Sequence, residues 1–346
     1  MERYRVVDAD GHVVEDDEEL NQYLDPPYNK GREPGYSIFP SLDGWPRQLK
    51  RPWRRSIAVE QWTSFMDETG IEQAVLYPTA GLAIGLIQDA EWACLTARAY
   101  NSWLADRFTS RSPRLHGVAV LPVQDVAEAV KELRRGVSEL GFVGGVLPAC
   151  NYHNLGFGHP QYRPIFAEAE RLGCPLTIHG GSSAGYGLDL VRTSAHVTAL
   201  EHPFGQMYQF TSIVLEGVLE DHPNLRLGFL EAGAGWLPYL LDRLDEQWER
   251  QGQVLPWLTK PPSAYVQQHA VYTTCEVDEK TLPTVVEILG ADRLLWPSDF
   301  PHERRREAFF ADLPEFYERE DLSAEVKQAI LFDNPARFYN LAPLSV

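Results

Sequence analysis

The 346-residue chain exceeds the usual single-domain size of roughly 100–200 residues, yet an eight-stranded α/β barrel with insertions accommodates that length as one unit. Its 44% hydrophobic and 23% charged residues exclude an extensively disordered or fibrous protein. With 31 Lys+Arg against 49 Asp+Glu, the net charge of −18 repels phosphate backbones and anionic lipid surfaces, which argues against nucleic acid as a partner.

The N-terminus leads directly into a strand-like stretch without a signal-peptide core. No apolar run approaches the roughly 20 residues of a membrane span, so a cytoplasmic protein is expected. Short apolar runs then recur along the chain. They predict strands over Tyr4–Asp10, Gln73–Tyr77, Leu115–Leu121, Val143–Leu147, Pro175–His179, Leu225–Glu231, Val271–Cys275 and Leu294–Ser298. Between them, helical spacing covers Asp89–Phe108, Val126–Leu140, Gln161–Leu172, Phe204–Leu219, Trp236–Glu249 and Glu279–Leu289. Strands separated by helix-length segments imply parallel right-handed crossovers, and eight of them close most simply into a (β/α)8 TIM-type barrel. A doubly wound open sheet is the alternative.

Three stretches interrupt the alternation and read as insertions within a single domain spanning 1–346. Residues 25–60 are rich in proline and tryptophan and suggest a cap over the barrel mouth. Residues 181–200 carry Gly181, Gly185 and Gly187 and suggest an active-site loop, while 251–268 precede the seventh strand. Cys94, Cys150, Cys174 and Cys275 are widely spaced without a C-x-x-C pair, as buried reduced thiols would be.

Residues able to do chemistry collect where the apolar runs end, which is where barrel enzymes place their sites. Asp8, Asp10 and His12 alternate at the end of the first strand, so they share one face in steps of about 7 Å. Asp10 and His12 can share a cation, Asp8 would sit behind them, and Gly11 leaves room for close approach. His179 ends the fifth run before Gly180-Gly181. Glu231 ends the sixth before Ala232-Gly233-Ala234-Gly235 and needs a cation or hydrogen bonds to offset its burial. Asp299 ends the eighth run, where it can bind metal and accept a proton or else cap the next helix. His202, at the start of the helix after the glycine loop, and His302, three residues beyond Asp299, can complete the coordination of a second metal or face solvent.

The ordered set Asp8-x-Asp10-x-His12, Ile178-His179-Gly180-Gly181, Leu230-Glu231-Ala232-Gly233-Ala234-Gly235-Trp236 and Pro297-Ser298-Asp299-Phe300-Pro301-His302 resembles the amidohydrolase superfamily over nearly the whole chain. It is most similar to the amidohydrolase-2 branch, which includes aromatic acid and aminocarboxymuconate-semialdehyde decarboxylases. The resemblance implies a distorted barrel with a divalent metal on Asp10, His12, His179 and Asp299. It also shows two departures: Asp10 replaces the first histidine of H-x-H, and Glu231 replaces the sixth-strand histidine that serves those decarboxylases as acid/base.

A glutamate there can bridge two cations. With His202 and His302 the donor set Asp10, His12, His179, His202, Glu231, Asp299 and His302 is similar to that of amidohydrolase-fold dinuclear iron monooxygenases. The leading expectation is therefore two Fe, with Zn or Mn as alternatives, and dioxygen hydroxylating a small, largely apolar substrate. Glu231, Asp299 and His202 would be catalytic. A mononuclear Zn/Mn decarboxylase or C–C/amide hydrolase is the second expectation, and a catalytically silent partner subunit the third; barrels of this branch also suggest a homodimer.

Overall fold

The computed structural model describes residues 4–30, 37–40, 57–181, 194–268, 270–302 and 306–344. All eight expected strands form: β1 (Val7–His12), β2 (Gln73–Tyr77), β3 (Leu115–Val120), β4 (Gly144–Pro148), β5 (Leu176–His179), β6 (Arg226–Leu230), β7 (Ala270–Thr274) and β8 (Leu294–Leu295). Each pairs in parallel with its sequence neighbour in the order β1 to β8. Their residues are almost wholly buried, as expected of strands covered by helices on one side and barrel core on the other.

Three backbone bonds complete the circle between the first and last strands. Ala9 N–H donates to Trp296 O (3.0 Å), Asp299 N–H to Asp10 O (3.0 Å) and His12 N–H to Phe300 O (2.7 Å). Buried Asp8 reinforces this seam by accepting from Ser298 N–H (2.9 Å), Ser298 Oγ–H (2.5 Å) and Asp10 N–H (3.2 Å). The Asp8 expectation is therefore met in a specific way: the carboxylate fastens strand ends. What approaches at Gly11 is Trp62, whose Nε1–H donates to His12 O at 3.0 Å.

The helices start where local chemistry allows. Asp89 accepts from Trp92 N–H to cap Ala90–Leu104, and Asp125 accepts from Glu128 N–H to cap Val126–Ser138. The first of these ends four residues before the expected Phe108, passing into a π-helical turn, Ala105–Thr109.

The helix expected from Phe204 instead spans Ser194–Leu215, with Pro203 inside it, so His202 lies within a helix and not at its start. Helices at Val59–Thr69, Arg306–Glu318, Ala324–Gln328 and Asn334–Tyr339 are additional to the expected set. The last is anchored by Tyr339, whose hydroxyl donates to Ala9 O (2.8 Å) and accepts from Tyr77 Oη–H (2.7 Å).

Of the expected insertions, 31–36 and 41–56 lie outside the described residues, as do 182–193. Residues 251–268 are described: Trp257 Nε1–H donates to Leu215 O (2.7 Å) and Thr259 Oγ–H to Glu220 (3.1 Å). That contact places the segment at the end where β6 and β7 begin, opposite His179. Cys150, Cys174 and Cys275 are buried, Cys94 is half-buried, and all four are free thiols. No described helix is long and apolar enough to cross a membrane.

Candidate metal centre

The carboxyl ends of β1, β5, β6 and β8 bring the expected residues together. Asp10 Oδ1 lies 3.1 Å from His179 Nε2 and 3.6 Å from His12 Nε2. Asp299 Oδ1 lies 3.4 Å from His12 Nε2 and 2.7 Å from His302 Nδ1. Two donor groups result, Asp10–His12–His179 and His12–Asp299–His302, each offering atoms within 4.8 Å of one another.

The orientation of each ring is set from outside. His12 Nδ1 meets Pro78 O at 2.9 Å and His179 Nδ1 meets Gly180 O at 2.9 Å. Carbonyls only accept, so both Nδ1 atoms carry hydrogen; the neutral His12 ring presents its Nε2 lone pair to the interior, while His179 Nε2 faces Asp10 Oδ1. His12 Nε2 is buried without a hydrogen-bond partner and faces Asp299 Oδ1, which also pairs with His302 Nδ1. Burying such atoms unpaired is costly, and two lone pairs aimed at one point are reconciled by a cation between them. Mixed carboxylate and imidazole donors suit a divalent metal.

Charge balance follows the same geometry. Burial holds His12 well below its usual pKa, with His302 and His179 adding, so the ring is neutral as a ligand must be. Burial also lowers His179, but Asp10 more than offsets it and the ring rises to about 9. Asp8 is pushed up to about 7 by burial, against the pull of its Ser298 hydrogen bonds.

Glu231 and His202 fall in neither donor group. Glu231 Oε2 lies 3.4 Å from His179 Nδ1 and Oε1 lies 3.8 Å from His202 Nδ1, while His202 Nε2 lies 3.3 Å from Glu201. His202 is thus held between two carboxylates, which outweigh its burial and lift it to about 9. Gly180 makes this possible, since a Cβ there would stand 3.0 Å from His202 Cγ. Glu231 and Asp299 both adopt left-handed backbone (φ 58° and 51°), two of only four such non-glycine residues among those described. Unfavourable backbone of this kind persists where surroundings over-determine it; at Glu231 the N–H donates to Thr274 Oγ1 at 2.8 Å.

Three residues near the centre were not singled out from the sequence. Glu276, just past β7, is crowded by protein and repelled by Asp299 and Glu231, which raises its carboxyl to about 7 although the residue opens to solvent. Its place one residue beyond Cys275 was a usable signal. Thr79, beyond β2, touches His302; Glu201 adjoins His202. Neither stood out, because a threonine in a loop and a glutamate in a helix are common.

A family model described as amidohydrolase matches residues 7–341. The chain belongs to the amidohydrolase family. Within this family it is 30% identical over 250 residues to a gamma-resorcylate decarboxylase from Rhodococcus jostii, covering 69% of this chain and 75% of the relative. Its fold matches that of 5-carboxyvanillate decarboxylase from Sphingomonas paucimobilis, with TM-score 0.75, 20% identity and coverage of 98% of this chain and 100% of that one. It also matches a dihydroxybenzoic acid decarboxylase from Polaromonas sp. JS666 with bound manganese and 2-nitroresorcinol, with TM-score 0.70, 21% identity and coverage of 98% and 97%.

These amidohydrolase relatives correct the leading functional expectation. The three relatives just described are decarboxylases, so the dioxygen-dependent dinuclear iron monooxygenase reading is withdrawn in favour of the second expectation. The physical source of the error is visible in the site. Counting donors along the sequence gave seven, yet only Asp10, His12, His179, Asp299 and His302 enter the two donor groups, which share His12, while Glu231 and His202 enter neither.

Proposed function

We propose that this protein is a metal-dependent decarboxylase of a small hydroxylated aromatic carboxylic acid. The observation that carries the reading is His12 Nε2, buried without a hydrogen-bond partner and facing Asp299 Oδ1 at 3.4 Å, inside a barrel whose gamma-resorcylate decarboxylase relatives remove a carboxyl group. Asp10, His12, His179, Asp299 and His302 would hold one divalent cation. When bound, that cation supplies a positive charge that anchors the substrate's carboxylate and adjacent hydroxyl oxygen.

The chain's own residues then handle the proton. His202, held by Glu201 and Glu231, donates a proton to the ring carbon bearing the carboxylate. The bond from that carbon to the carboxylate breaks, its electron pair restores the aromatic ring, and carbon dioxide leaves. Glu231 takes the strand-end place of the expected histidine and acts here by orienting His202, 3.8 Å away. Asp299, whose Oδ1 lies 3.4 Å from His12 Nε2 and 2.7 Å from His302 Nδ1, would help hold the cation and so position the reacting carboxylate.

The test is carbon dioxide release from 2,6-dihydroxybenzoate, 5-carboxyvanillate and related acids by enzyme reconstituted with Mn2+ or Zn2+, run in D2O so that deuterium marks the vacated carbon. His202→Asn should keep its metal and lose about 10²–10⁴-fold in turnover. Elemental analysis of freshly purified protein should give about one Mn or Zn per chain. Two irons per chain, or no decarboxylation across the panel, would refute the proposal. Absence of any bound metal after reconstitution would favour a silent partner subunit.

A further inference from the structure

We infer that Thr79 is a positioning residue that fixes the tautomer of His302 and so aims Nδ1 at the cation; this rests on the metal reading above. Thr79 is buried just beyond β2. Its Oγ1 lies 2.6 Å from Val13 O and 2.8 Å from His302 Nε2. Val13 O can only accept, so the single hydroxyl hydrogen occupies that bond. The oxygen retains only lone pairs for His302, and the ring must bring the hydrogen on Nε2. In the neutral ring that a cation requires, Nδ1 is then the bare nitrogen; it lies 2.7 Å from Asp299 Oδ1 and inside the donor group with His12.

The hydroxyl's own orientation is over-determined. On one side, Val13 N–H donates to Tyr77 O at 2.9 Å, which fixes the carbonyl that takes the hydroxyl hydrogen. On the other, the Glu15 carboxylate accepts from three successive amides, Thr79 N–H (3.1 Å), Ala80 N–H (2.8 Å) and Gly81 N–H (2.9 Å), and holds the turn that presents Thr79. His12 and His179 are oriented by backbone carbonyls, which accept by nature. At His302 the partner is a hydroxyl able to donate or accept, and Val13 O removes that ambiguity. The chain from Glu15 through Thr79 to His302 therefore ties the β2 loop to the metal centre.

The experiment uses full-length protein labelled with 15N-histidine, zinc as a diamagnetic probe, and His302→Asn to assign the ring. Long-range 15N spectra distinguish protonated, bare and metal-bound ring nitrogens. Wild type and Thr79→Ser should show hydrogen on His302 Nε2 and zinc on Nδ1. Thr79→Val should lose that single tautomer and bind zinc about 10–100-fold more weakly, while far-ultraviolet circular dichroism reports an intact fold. If Thr79→Val does not fold, Glu15→Gln replaces it and should weaken zinc binding several-fold by loosening the turn.

Hydrogen on His302 Nδ1 in wild type would overturn the assignment. So would a folded Thr79→Val protein with the tautomer unchanged and zinc affinity within twofold. A wild type that takes up no zinc, yet keeps the Nε2 hydrogen that Thr79→Val abolishes, would sink the metal reading and leave the role of Thr79 supported.

Discussion

Gly11→Ala tests the packing that holds His12. A Cβ at Gly11 would stand 2.3 Å from Trp62 Cη2 and 2.9 Å from Asp8 Oδ2. The indole is fully buried, packs edge-on against Phe300 at 4.9 Å, and cannot yield without breaking its 3.0 Å bond to His12 O. Overpacking of this kind costs about 1–3 kcal/mol. An orphaned buried donor adds about 1–3 kcal/mol, for a total of roughly 2–6 kcal/mol. With an unfolding entropy of about 2.1 cal/mol/K per residue, a 346-residue chain should lose roughly 3–8 °C in Tm.

The assay is thermal unfolding of metal-free protein at a fixed scan rate, because a chain of this size can unfold irreversibly. Repeating it in a Trp62→Leu background isolates the cause, since the smaller side chain vacates the space. The cost of Gly11→Ala should fall there by at least half. An equal cost in both backgrounds, or none in wild type, would refute the argument.

Thr274→Val should destabilise the protein by about 1–3 kcal/mol, because it strands the Glu231 N–H that now donates to Thr274 Oγ1; Thr274→Ser should not, and chemical denaturation compares them. Gly180→Ala, whose Cβ would crowd His202 Cγ at 3.0 Å, should leave metal content unchanged and slow decarboxylation about 3–10-fold, read by steady-state turnover. His116, far from the metal centre at the start of β3, is held down to about 4 by burial. The unfolded chain therefore binds the extra proton first, so this residue's contribution is intact above about pH 6.5 and is lost as pH falls from there to about 4. His116→Gln should flatten that part of the urea midpoint's pH dependence, and an unaltered slope would place the effect elsewhere.

Much of the barrel was legible because parallel strands buried on both faces read as apolar runs, and all eight were found that way. The Ser194–Leu215 helix was misplaced because Pro203 reads as a helix start, whereas here the helix continues through it. The short helix Asn334–Tyr339 escaped notice because its stability comes from Tyr339 reaching Ala9 and Tyr77 and not from its own periodicity. At the centre, Asp10, His12, His179 and Asp299 were legible as polar residues ending apolar runs. The separation of Glu231 and His202 from both donor groups was not, since it depends on which atom of each side chain points inward.

What the sequence alone determined is where chemistry can occur: apolar runs and the polar residues that end them are local patterns. Only the tertiary structure decided what converges. Closing the barrel brings Asp8 against Ser298 across 290 positions of chain, and that seam sets His12 beside Asp299. The hydrogen-bond partners behind each ring, Pro78, Gly180 and Thr79, then choose which nitrogen faces in. Lone-pair direction is a property of three-dimensional contacts, and a count of donors along the chain does not contain it.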